Sequence, residues 1–505
     1  MDIRPALYSR FLRGLAESPH GVAIRTEGET LSYAQVHETA LCWAGSLLDG
    51  PVGQPAVVGV LAGRVIEGYV GLLAALYAGA TVVPLNPEFP AARTGRMIEA
   101  AGVRALIADG RGTAVLAELG LDLPVLAPGG GGSVPVLAPG VLHEPLPPGD
   151  IAYVLFTSGS TGSPKGVPIS QVSALSYFDL LDRRYDFTAS DVFSQTFDLN
   201  FDCAMFDLFC AWGAGAAVHV VPPHAYRVLP EFAAERGLTI WFSTPSAISL
   251  VRRLGGLAPG ALPTLRWSFF AGEALPCDDT ADWQAAAPSS VVENLYGPTE
   301  LTVTVTRHRW SPERSRGLAV NGVVPIGAIH EGHEHLLLGE DGQPVDTEGE
   351  LCVTGPQMTA GYLDPADDHG RFAEIDGRRW YRTGDRVRRL GNGDLAYLGR
   401  LDAQVQVQGV RVELAEIDHA VRSCEGVVEA ATVARQAARG LELVVFYTGV
   451  PTSPAELSRQ LKRILPAATL PRHYHHVDEL PLNSNRKVDR RALASGFFGG
   501  VSRAG

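Results

Sequence analysis

The sequence lacks the patterns that mark secreted, zinc-binding or membrane-spanning proteins. Its cysteines are spread along the chain without C-x-x-C spacing: Cys42, Cys203, Cys210, Cys277, Cys352 and Cys424. The N-terminus has no apolar signal-peptide region. The most apolar long stretch, residues 57–85, is interrupted by Arg64 and Glu67 and predicts a strand, a helix and a strand of a buried core. We therefore expect reduced, mostly buried thiols in a cytoplasmic protein without a membrane segment.

Positive charge is also scarce. The 505 residues include 42 Lys and Arg against 55 Asp and Glu, which gives a formal net charge of −13. That balance argues against a general nucleic-acid binder and against a polybasic membrane anchor. A hydrophobic content of 46% with 19% charged residues is typical of globular proteins, and the length predicts two or more domains.

What the first part of the chain does contain is an alternation of β-rich runs and helical patterns. The predicted elements are a strand at 22–25, a helix at 32–48, a strand at 56–61, a helix at 65–78 and a strand at 81–85. Such alternation predicts a parallel sheet with helices on its faces, and hence an α/β fold.

The most informative stretch is residues 151–166, Ile-Ala-Tyr-Val-Leu-Phe-Thr-Ser-Gly-Ser-Thr-Gly-Ser-Pro-Lys-Gly. Its apolar first half predicts a buried strand. From Thr157 onward, glycines and small hydroxylated residues allow N–H and hydroxyl groups to surround an oxyanion, and Lys165 adds a mobile positive charge. These features predict a polyphosphate site. The alternative is a flexible linker, but linkers seldom follow a buried strand and seldom carry a single Lys.

The loop is not a Walker A motif, because Lys165 lies between Pro164 and Gly166 rather than between Gly and Ser or Thr. It resembles instead the loop of adenylate-forming enzymes, the superfamily of acyl-CoA synthetases, luciferases and nonribosomal peptide synthetase adenylation domains. Residues 31–36, Leu-Ser-Tyr-Ala-Gln-Val, and residues 76–85 resemble the first two core motifs of amino-acid adenylation domains.

Residues 293–300, Glu-Asn-Leu-Tyr-Gly-Pro-Thr-Glu, resemble a second strong motif of the superfamily. Tyr296 offers a planar face for adenine, Thr299 a hydroxyl, and Glu300 a hard oxygen ligand for Mg²⁺ beside phosphates. Gly-Pro alone would be only a turn signal. Its position downstream of the Ser/Gly/Lys loop supports the resemblance.

Further matches follow in order along nearly the whole chain. The Ala-Gly-Glu turn at 271–273 matches a segment that lies along the adenine in the family, and Asp385 matches the residue that binds the ribose hydroxyls. Arg400 matches a phosphate- or ribose-contacting arginine. Asp402 matches the family's hinge, and Lys487 matches its catalytic lysine; on its own, Lys487 would be a surface residue of an Arg-rich tail.

The resemblance implies an α/β fold with a large N-terminal domain, residues 1–400, of parallel-rich sheets flanked by helices with a β-barrel-like subdomain. A small mobile α+β domain, residues 401–505, would carry the catalytic lysine. The expected catalytic residues are Lys487, Thr299 and Glu300, of which Glu300 is also the metal ligand. The residues expected to bind ATP are Thr157, Ser158, Gly159, Ser160, Thr161, Gly162, Lys165, Gly272, Glu273, Ala274, Asn294, Leu295, Tyr296, Gly297, Asp385, Tyr397 and Arg400.

Carrying the family's pocket positions onto this chain gives a substrate site. Its expected members are Asp202, Cys203, Phe206, Ser246, Phe269, Ala271, Leu295, Gly297, Val303 and Thr304. Asp202 matches the carboxylate that holds the substrate's α-ammonium, with Asp198 as the alternative register. Asp198 and Asp207 are expected to be helix caps or exposed turns, because lone carboxylates are costly to bury. Two Phe and a Leu narrow the pocket and no side chain could pair a charged one, so we expect a small, uncharged amino acid the size of alanine, glycine or serine.

The resemblance therefore implies a stand-alone amino-acid adenylation enzyme, similar to D-alanine–carrier protein ligases. It would use ATP and Mg²⁺ to form an aminoacyl-AMP, release pyrophosphate, and load the phosphopantetheine thiol of a separate acyl carrier protein in a natural-product pathway. A carrier region is expected to be separate because the chain after Asp489 offers no room for one and no Gly-x-Ser motif. The alternatives are a β-amino acid enzyme or an acyl- or aryl-CoA ligase that uses free coenzyme A; a CoA ligase would not be expected to carry Asp202.

Three residues depart from the family pattern. Arg486 stands where Gly is usual, beside Lys487, and Gln406 and Gln408 stand where the hinge hairpin usually has Lys and Arg. The glutamines remove charge from the expected carrier-facing surface and argue weakly against a basic coenzyme A site. Residues 330–335, His-Glu-Gly-His-Glu-His, lack H-E-x-x-H spacing and are expected to be a polar lead-in to a strand rather than a zinc site.

Overall fold

The computed structural model describes residues 6–130, 137–159, 163–401, 404–437, 440–481, 488–490 and 492–494. Five of the expected site residues lie outside this set: Ser160, Thr161, Gly162, Asp402 and Lys487. The α-helices of the described chain are α1 Ser9–Glu17, α2 Tyr33–Leu48, α3 Ile66–Tyr77, α4 Ala91–Ala100, α5 Gly110–Leu119, α6 Gln171–Arg184, α7 Asp202–Ala214, α8 Leu229–Arg236, α9 Pro245–Arg253, α10 Cys277–Ala286, α11 Pro312–Leu318, α12 Leu414–Arg422 and α13 Pro454–Leu461.

The strands of the first 330 residues are β1 Val22–Arg25, β2 Thr30–Ser32, β3 Val57–Leu61, β4 Thr81–Leu85, β5 Ala105–Ala108, β6 Val125–Leu126, β7 Ile151–Thr157, β8 Lys165–Ser170, β9 Val192–Gln195, β10 Ala217–Val220, β11 Ile240–Ser243, β12 Trp267–Phe270, β13 Val291–Tyr296, β14 Thr306–Arg309 and β15 Ala328–Ile329. The later strands are β16 Glu334–Leu338, β17 Pro344–Val345, β18 Glu348–Thr354, β19 Phe372–Ile375, β20 Arg378–Arg389, β21 Leu395–Arg400, β22 Gln404–Val407, β23 Val410–Glu413, β24 Val427–Ala437, β25 Gly440–Gly449 and β26 His473–His476.

Two parallel-rich sheets dominate the described fold. A nine-stranded sheet has the order β15-β14-β13-β12-β11-β9-β10-β1-β2, and a six-stranded sheet has the order β6-β5-β3-β4-β7-β8. The central pairs of both sheets are parallel. Their strands are nearly continuous apolar runs because helices cover both faces of such sheets. The α/β prediction and the expected strand and helix alternation of the first domain are confirmed.

A third sheet has the order β17-β16-β18-β20-β19, with β21 also paired to β20, and all its pairs are antiparallel. It corresponds to the expected barrel-like subdomain. Its own core includes Leu301, Leu351 and Tyr381.

The described chain divides into two compact units. The first contains residues 1–87, 98–156 and 166–401, and the second contains residues 88–97, 157–165 and 402–505. In the second unit, the β22–β23 hairpin leads into α12, which packs on the β24-β25-β26 sheet. A buried ion pair between Arg93 and Glu416 joins the 88–97 segment to α12 within that unit.

The six cysteines are free thiols and four of them are buried, as expected. No helix in the described part of the chain combines the length and the apolar character that a membrane span requires.

Candidate active site

The site forms where three parallel strands of the nine-stranded sheet end together. Ser243, Phe270 and Asn294 stand in register at the carboxyl ends of β11, β12 and β13. The chain segments that follow these strands carry the expected site residues Ser246, 271–274 and 297–300. Open α/β sheets place ligands at this edge because the connections diverge there and expose polar backbone groups. The structure therefore brings together segments that lie up to 54 residues apart in the sequence, from Ser246 to Glu300.

Asp202 stands in the first turn of α7, where the positive end of the helix dipole stabilises a carboxylate. Thr299 and Cys203 hydrogen-bond to its side chain. The pKa of Asp202 is nevertheless raised to about 6, chiefly by burial and to a smaller extent by the nearby Glu300 carboxylate. An ammonium group beside Asp202 would remove both penalties, because it would pair with the charge that burial disfavours.

Aromatic rings pack together around two of the expected substrate-pocket residues, Phe206 and Phe269. Phe206 and Phe269 are fully buried and meet edge to face with their centroids 5.2 Å apart. Phe242 lies 4.9 Å from Phe206, and Phe187 packs against both pocket phenylalanines. Because interlocked rings in a close-packed core cannot move aside cheaply, we expect these rings to form a floor that limits the size of any side chain that enters.

One segment expected to line the substrate pocket is a strained turn. Thr302 and Val303 have φ values of 55° and 67°, which β-branched residues rarely adopt. The amide of Gln357 donates to the carbonyls of Leu301, Thr302 and Thr304 at 3.0, 3.0 and 2.8 Å, and the Thr302 hydroxyl donates to the Gln357 carbonyl at 2.6 Å. Gln357 thus holds the turn that presents Val303 and Thr304.

Two more contacts involve this turn. The hydroxyls of Tyr177 and Thr304 lie 2.9 Å apart and both residues are buried. Gly297 faces the same turn so closely that a Cβ added to it would lie 2.6 Å from Thr304 Cα. A side chain at position 297 would therefore push the turn away from β13. Leu295, at the end of β13, is also buried.

The residues expected to bind the nucleotide are joined by polar contacts rather than by aromatic packing. The Tyr296 hydroxyl donates to Asp385 Oδ2 at 2.5 Å, and Arg400 donates to Asp385 Oδ1 at 3.0 Å. Each carboxylate oxygen of Asp385 thereby has a donor. Tyr397 is half-buried on the same subdomain core. These contacts bring together Tyr296, Asp385 and Arg400, three of the residues expected to bind ATP.

The turn after β12 is fixed by its backbone and by one carboxylate. Gly272 has φ of 88°, in the left-handed region that favours glycine, between Ala271 and Glu273. The Glu273 carboxylate accepts a 2.8 Å hydrogen bond from the backbone N–H of Ser246, which ties the β12 turn to the start of α9. Asn294, one of the residues expected to bind ATP, donates from its buried amide to the carbonyls of Val324 and Pro325.

Glu300 is fully buried and its carboxylate accepts a 2.5 Å hydrogen bond from Tyr362. A carboxylate with a neighbouring threonine hydroxyl is a hard-oxygen donor set that suits Mg²⁺. No group of three or more His, Cys, Asp or Glu among the described residues could hold a metal by itself. This fits an ion that arrives with nucleotide phosphates, since Mg²⁺ commonly takes one or two protein carboxylates and completes its shell with phosphate and water.

The described parts of the phosphate loop belong to the second compact unit. Thr157, Ser158, Gly159 and Lys165 fall in its 157–165 segment. A Cβ added to Gly159 would lie 2.0 Å from the carbonyl oxygen of Ser163, so this position of the loop requires glycine. The sequence prediction of a tight, glycine-dependent loop agrees with this geometry.

Residues 11–363 match the family model of the AMP-binding enzymes, and residues 416–487 match that of the AMP-binding enzyme C-terminal domain. The chain belongs to the AMP-binding enzyme family. This membership makes it an adenylate-forming ligase and bears out the resemblance drawn from its motifs.

The relatives cover the chain from end to end. An L-proline–[L-prolyl-carrier protein] ligase of Pseudomonas fluorescens is 31% identical over 97% of this chain and 98% of its own. The crystal structure of IdnL7 is 56% identical, with a TM-score of 0.76, over 98% of this chain and 99% of its own. The Vibrio cholerae adenylation domain AlmE, solved with glycyl-adenosine-5'-phosphate, is 28% identical with a TM-score of 0.88 and covers 99% of both chains.

One expectation from the sequence was wrong. Asp207 is neither a cap nor an exposed turn: it lies inside α7 with no exposed surface, and burial raises its pKa well above the ordinary value. Residues 330–333 do lead into a strand as expected, because β16 begins at Glu334. Within that segment His330 is 2% exposed, its ring stacks near Tyr177, and burial lowers its pKa well below the ordinary value. Asp198 does lie in a half-exposed turn, paired with Arg64.

Sequence reasoning missed three residues that shape the site: Tyr177, Gln357 and Tyr362. Each acts on a site residue from a distant part of the chain, between 53 and 127 residues away. Neither periodicity nor local motif spacing carries that information. The sequence feature that comes closest to identifying one of them is the Gly-Tyr pair at 361–362, which lies in a loop after a buried strand.

Proposed function

We propose that this AMP-binding enzyme activates a small, uncharged amino acid as aminoacyl-AMP and transfers the aminoacyl group to the phosphopantetheine thiol of a separate carrier protein. The observation that carries the proposal is Asp202, a carboxylate placed above a floor of buried aromatic rings and beside Thr299 and Glu300. A carboxylate there suits an ammonium group, and the floor suits a short side chain.

In the first step a carboxylate oxygen of the amino acid attacks the α-phosphorus of ATP. The new O–P bond forms as the bond from the α-phosphorus to the bridging oxygen breaks, and pyrophosphate leaves. Asp202 holds the ammonium group so that the substrate carboxylate points toward Glu300 and Thr299. Asp385, fixed by Tyr296 and Arg400, accepts hydrogen bonds from the ribose hydroxyls. When bound, Mg²⁺ on Glu300 would offset the negative charge of the phosphates.

The proposal assigns the remaining positive charge to two lysines. Lys487 joins the substrate carboxylate to the α-phosphate, whose mutual repulsion opposes the reaction, and Lys165 holds the outer phosphates and the departing pyrophosphate. The proposal also includes a boundary after residue 400, a hinge at Asp402 and a mobile C-terminal domain. In the second step the carrier thiolate attacks the acyl carbon and AMP leaves.

Comparison with relatives supports both halves of the proposal. AlmE was solved with the adenylate of glycine, the smallest amino acid, and the Pseudomonas ligase is named for loading a carrier protein. The first test is ATP–pyrophosphate exchange across α- and β-amino acids of increasing size. We expect exchange with alanine, glycine or serine-sized substrates. Exchange that is strongest with large or charged amino acids, or equal for an amino acid and its deaminated analogue, would contradict the proposal.

Replacing Phe206 tests the size limit directly. Phe206→Ala should admit larger side chains, because it opens the floor of the pocket; we expect the preferred substrate in the exchange assay to grow by several carbons. Phe232→Ala, a phenylalanine truncation on helix α8 outside the pocket, is the control and should leave the preference unchanged.

Lys487→Ala tests the chemical step. We expect ATP binding to be kept and exchange to be lost, because the charge is needed only where the two anions meet. Exchange within a few-fold of the unmodified enzyme would contradict the assigned role.

The acceptor is tested by mass. The enzyme, ATP and its amino acid are incubated with holo-carrier protein or with free coenzyme A, and the products are weighed. We expect a carrier protein heavier by one aminoacyl group. Efficient aminoacyl-CoA formation without any loaded carrier would instead assign the chain to the CoA ligases.

A further inference from the structure

We propose that Tyr362 is a positioning residue that sets the direction of the Glu300 carboxylate toward the metal–nucleotide complex. This inference rests on the proposed role of Glu300 as a magnesium ligand. It assigns to the loop after β18 a part in catalysis, although none of that loop's residues was among the expected site residues.

The contact itself is short and sheltered. The Tyr362 hydroxyl donates to Glu300 Oε1 at 2.5 Å, and the two residues are 7% and 0% exposed. Hydrogen bonds to a charged acceptor in such surroundings are stronger than those between neutral groups. Since a carboxylate has two oxygens in one plane, a donor fixed on one of them fixes the direction of the other.

Two contacts hold Tyr362 in place, and Arg379 supports both partners. Its backbone N–H donates to Asp368 Oδ1 at 2.9 Å, and Asp368 is paired with Arg379 at 2.9 Å. Its ring meets that of Phe372 edge to face at 6.3 Å, and the Arg379 guanidinium lies 4.0 Å from the centre of the Phe372 ring. The hydroxyl therefore reaches Glu300 from a fixed ring rather than from a side chain free to rotate.

The loop after β18 also forms hydrogen bonds with β8, the strand that follows the expected phosphate loop. The Leu363 N–H donates to the Gly166 carbonyl at 2.9 Å, and the Thr359 hydroxyl donates to the Pro168 carbonyl at 2.7 Å. The Thr359 N–H donates to the Glu300 backbone carbonyl at 2.9 Å. Residues 359–363 thus connect Glu300, through both its main chain and its side chain, to the residue directly after Lys165.

This arrangement answers an electrostatic problem at the site. The Glu300 carboxylate lies near enough to Asp202 to raise the pKa of Asp202, so the two like charges repel. A buried carboxylate with that neighbour would turn away unless a donor held it. Partners that orient a metal ligand in this way typically change metal affinity by about 10- to 100-fold when they are removed.

The test measures metal dependence of nucleotide binding without turnover. Mg²⁺ is titrated into enzyme with its amino acid and a fixed amount of α,β-methylene ATP, and nucleotide binding is followed by calorimetry. Three variants are compared with the unmodified enzyme: Tyr362→Phe, Glu300→Gln and Tyr33→Phe. Tyr33 is the matched control, because its buried hydroxyl donates to the Ala216 backbone carbonyl at 2.6 Å and serves no site residue.

We expect Tyr362→Phe to raise the Mg²⁺ midpoint about tenfold, while Tyr33→Phe lowers thermal stability without moving the midpoint. An unchanged midpoint in Tyr362→Phe, together with a raised one in Glu300→Gln, would overturn the positioning role and leave the proposed function intact. An unchanged midpoint in Glu300→Gln would instead overturn the metal role of Glu300. Equal shifts in Tyr362→Phe and Tyr33→Phe would show a general loss of stability and also overturn the inference.

Discussion

Asp202 and Asp207 are five residues apart on helix α7, and each follows a phenylalanine, yet the fold treats them differently. Asp202 opens the helix, receives hydrogen bonds from Thr299 and Cys203, and has a pKa of about 6. Asp207 lies inside the helix, where a backbone hydrogen bond from Thr196 is the support given to its carboxyl group, and burial raises its pKa well above the ordinary value. A buried carboxylate that remains charged at neutral pH needs several partners, whereas one with few is held as the neutral acid.

The difference shows why burial by itself does not identify a binding carboxylate. The pKa of Asp202 lies near neutral pH, so a neighbouring cation can stabilise its charged form. The pKa of Asp207 is raised well above the ordinary value, and its side chain has no exposed surface. The following predictions test this contrast, from the largest expected effect on amino-acid activation to the smallest.

Asp202→Asn should weaken amino-acid activation by about 100-fold or more, because removing one member of a sheltered ion pair costs about 3–5 kcal/mol and the partial exposure of Asp202 reduces that figure. The KM for ATP should stay nearly constant. Steady-state ATP–pyrophosphate exchange at varied amino acid and at varied ATP measures both. A change confined to the KM for ATP would show that Asp202 does not face the amino acid.

Lowering the pH should imitate that substitution. Because the pKa of Asp202 is raised to about 6 by burial, the carboxylate is protonated below that pH and can no longer pair with an ammonium. The KM for the amino acid should then rise about tenfold for each pH unit below 6, while the rate at saturating amino acid changes less. A KM that stays level from pH 7.5 to pH 5 would contradict the assigned pKa.

Gln357→Ala should raise the KM for the amino acid about fivefold and lower the free energy of unfolding by about 2–3 kcal/mol, since three backbone carbonyls lose their donor. The turn at 301–304 directly follows Thr299 and Glu300, which are neighbours of Asp202. Gln284→Ala is the matched control, because Gln284 donates to the carbonyls of Ala287 and Ser290 away from the site. Equal effects on the KM in both variants would deny the turn a role in binding.

Asp207→Asn should change the KM for the amino acid by less than about threefold. It should also raise the free energy of unfolding relative to the wild type, and this gain should grow as the pH rises. The pKa of Asp207 is raised in the folded state, so folding takes up a proton above the ordinary pKa, and the wild type loses up to about 1.4 kcal/mol per pH unit there. The asparagine variant does not. The melting temperature of each protein at pH 5, 6, 7 and 8 measures the difference.

The same melting series distinguishes the two carboxylates. The stability gained by Asp202→Asn should level off above about pH 6, once Asp202 is ionised, whereas the gain from Asp207→Asn should continue to widen at higher pH because the pKa of Asp207 is raised well above its ordinary value. Parallel curves for the two variants would mean that the two carboxyl groups share one environment, contrary to the structure.

The sequence by itself predicted which segments would carry the chemistry. Residues 157–166 and the 293–300 segment stand out because phosphate and metal contacts call for particular residue types at short spacing, and Asp385 follows from its match to a family motif. Strand and helix alternation likewise predicted the two parallel-rich sheets, because apolar periodicity is a local property of the chain. The family membership follows from these local patterns.

Only the tertiary structure decided how those segments are held. Asp207 is buried because its side of α7 packs on the core, whereas Asp198 precedes the helix and is half-exposed, although the repeated Phe-Asp pairs look alike in the sequence. The contacts of Gln357 with the strained 301–304 turn, and of Tyr362 with Glu300, join residues more than 50 positions apart. Such contacts arise when sheets pack and loops converge at their edge, so no local pattern of residues records them.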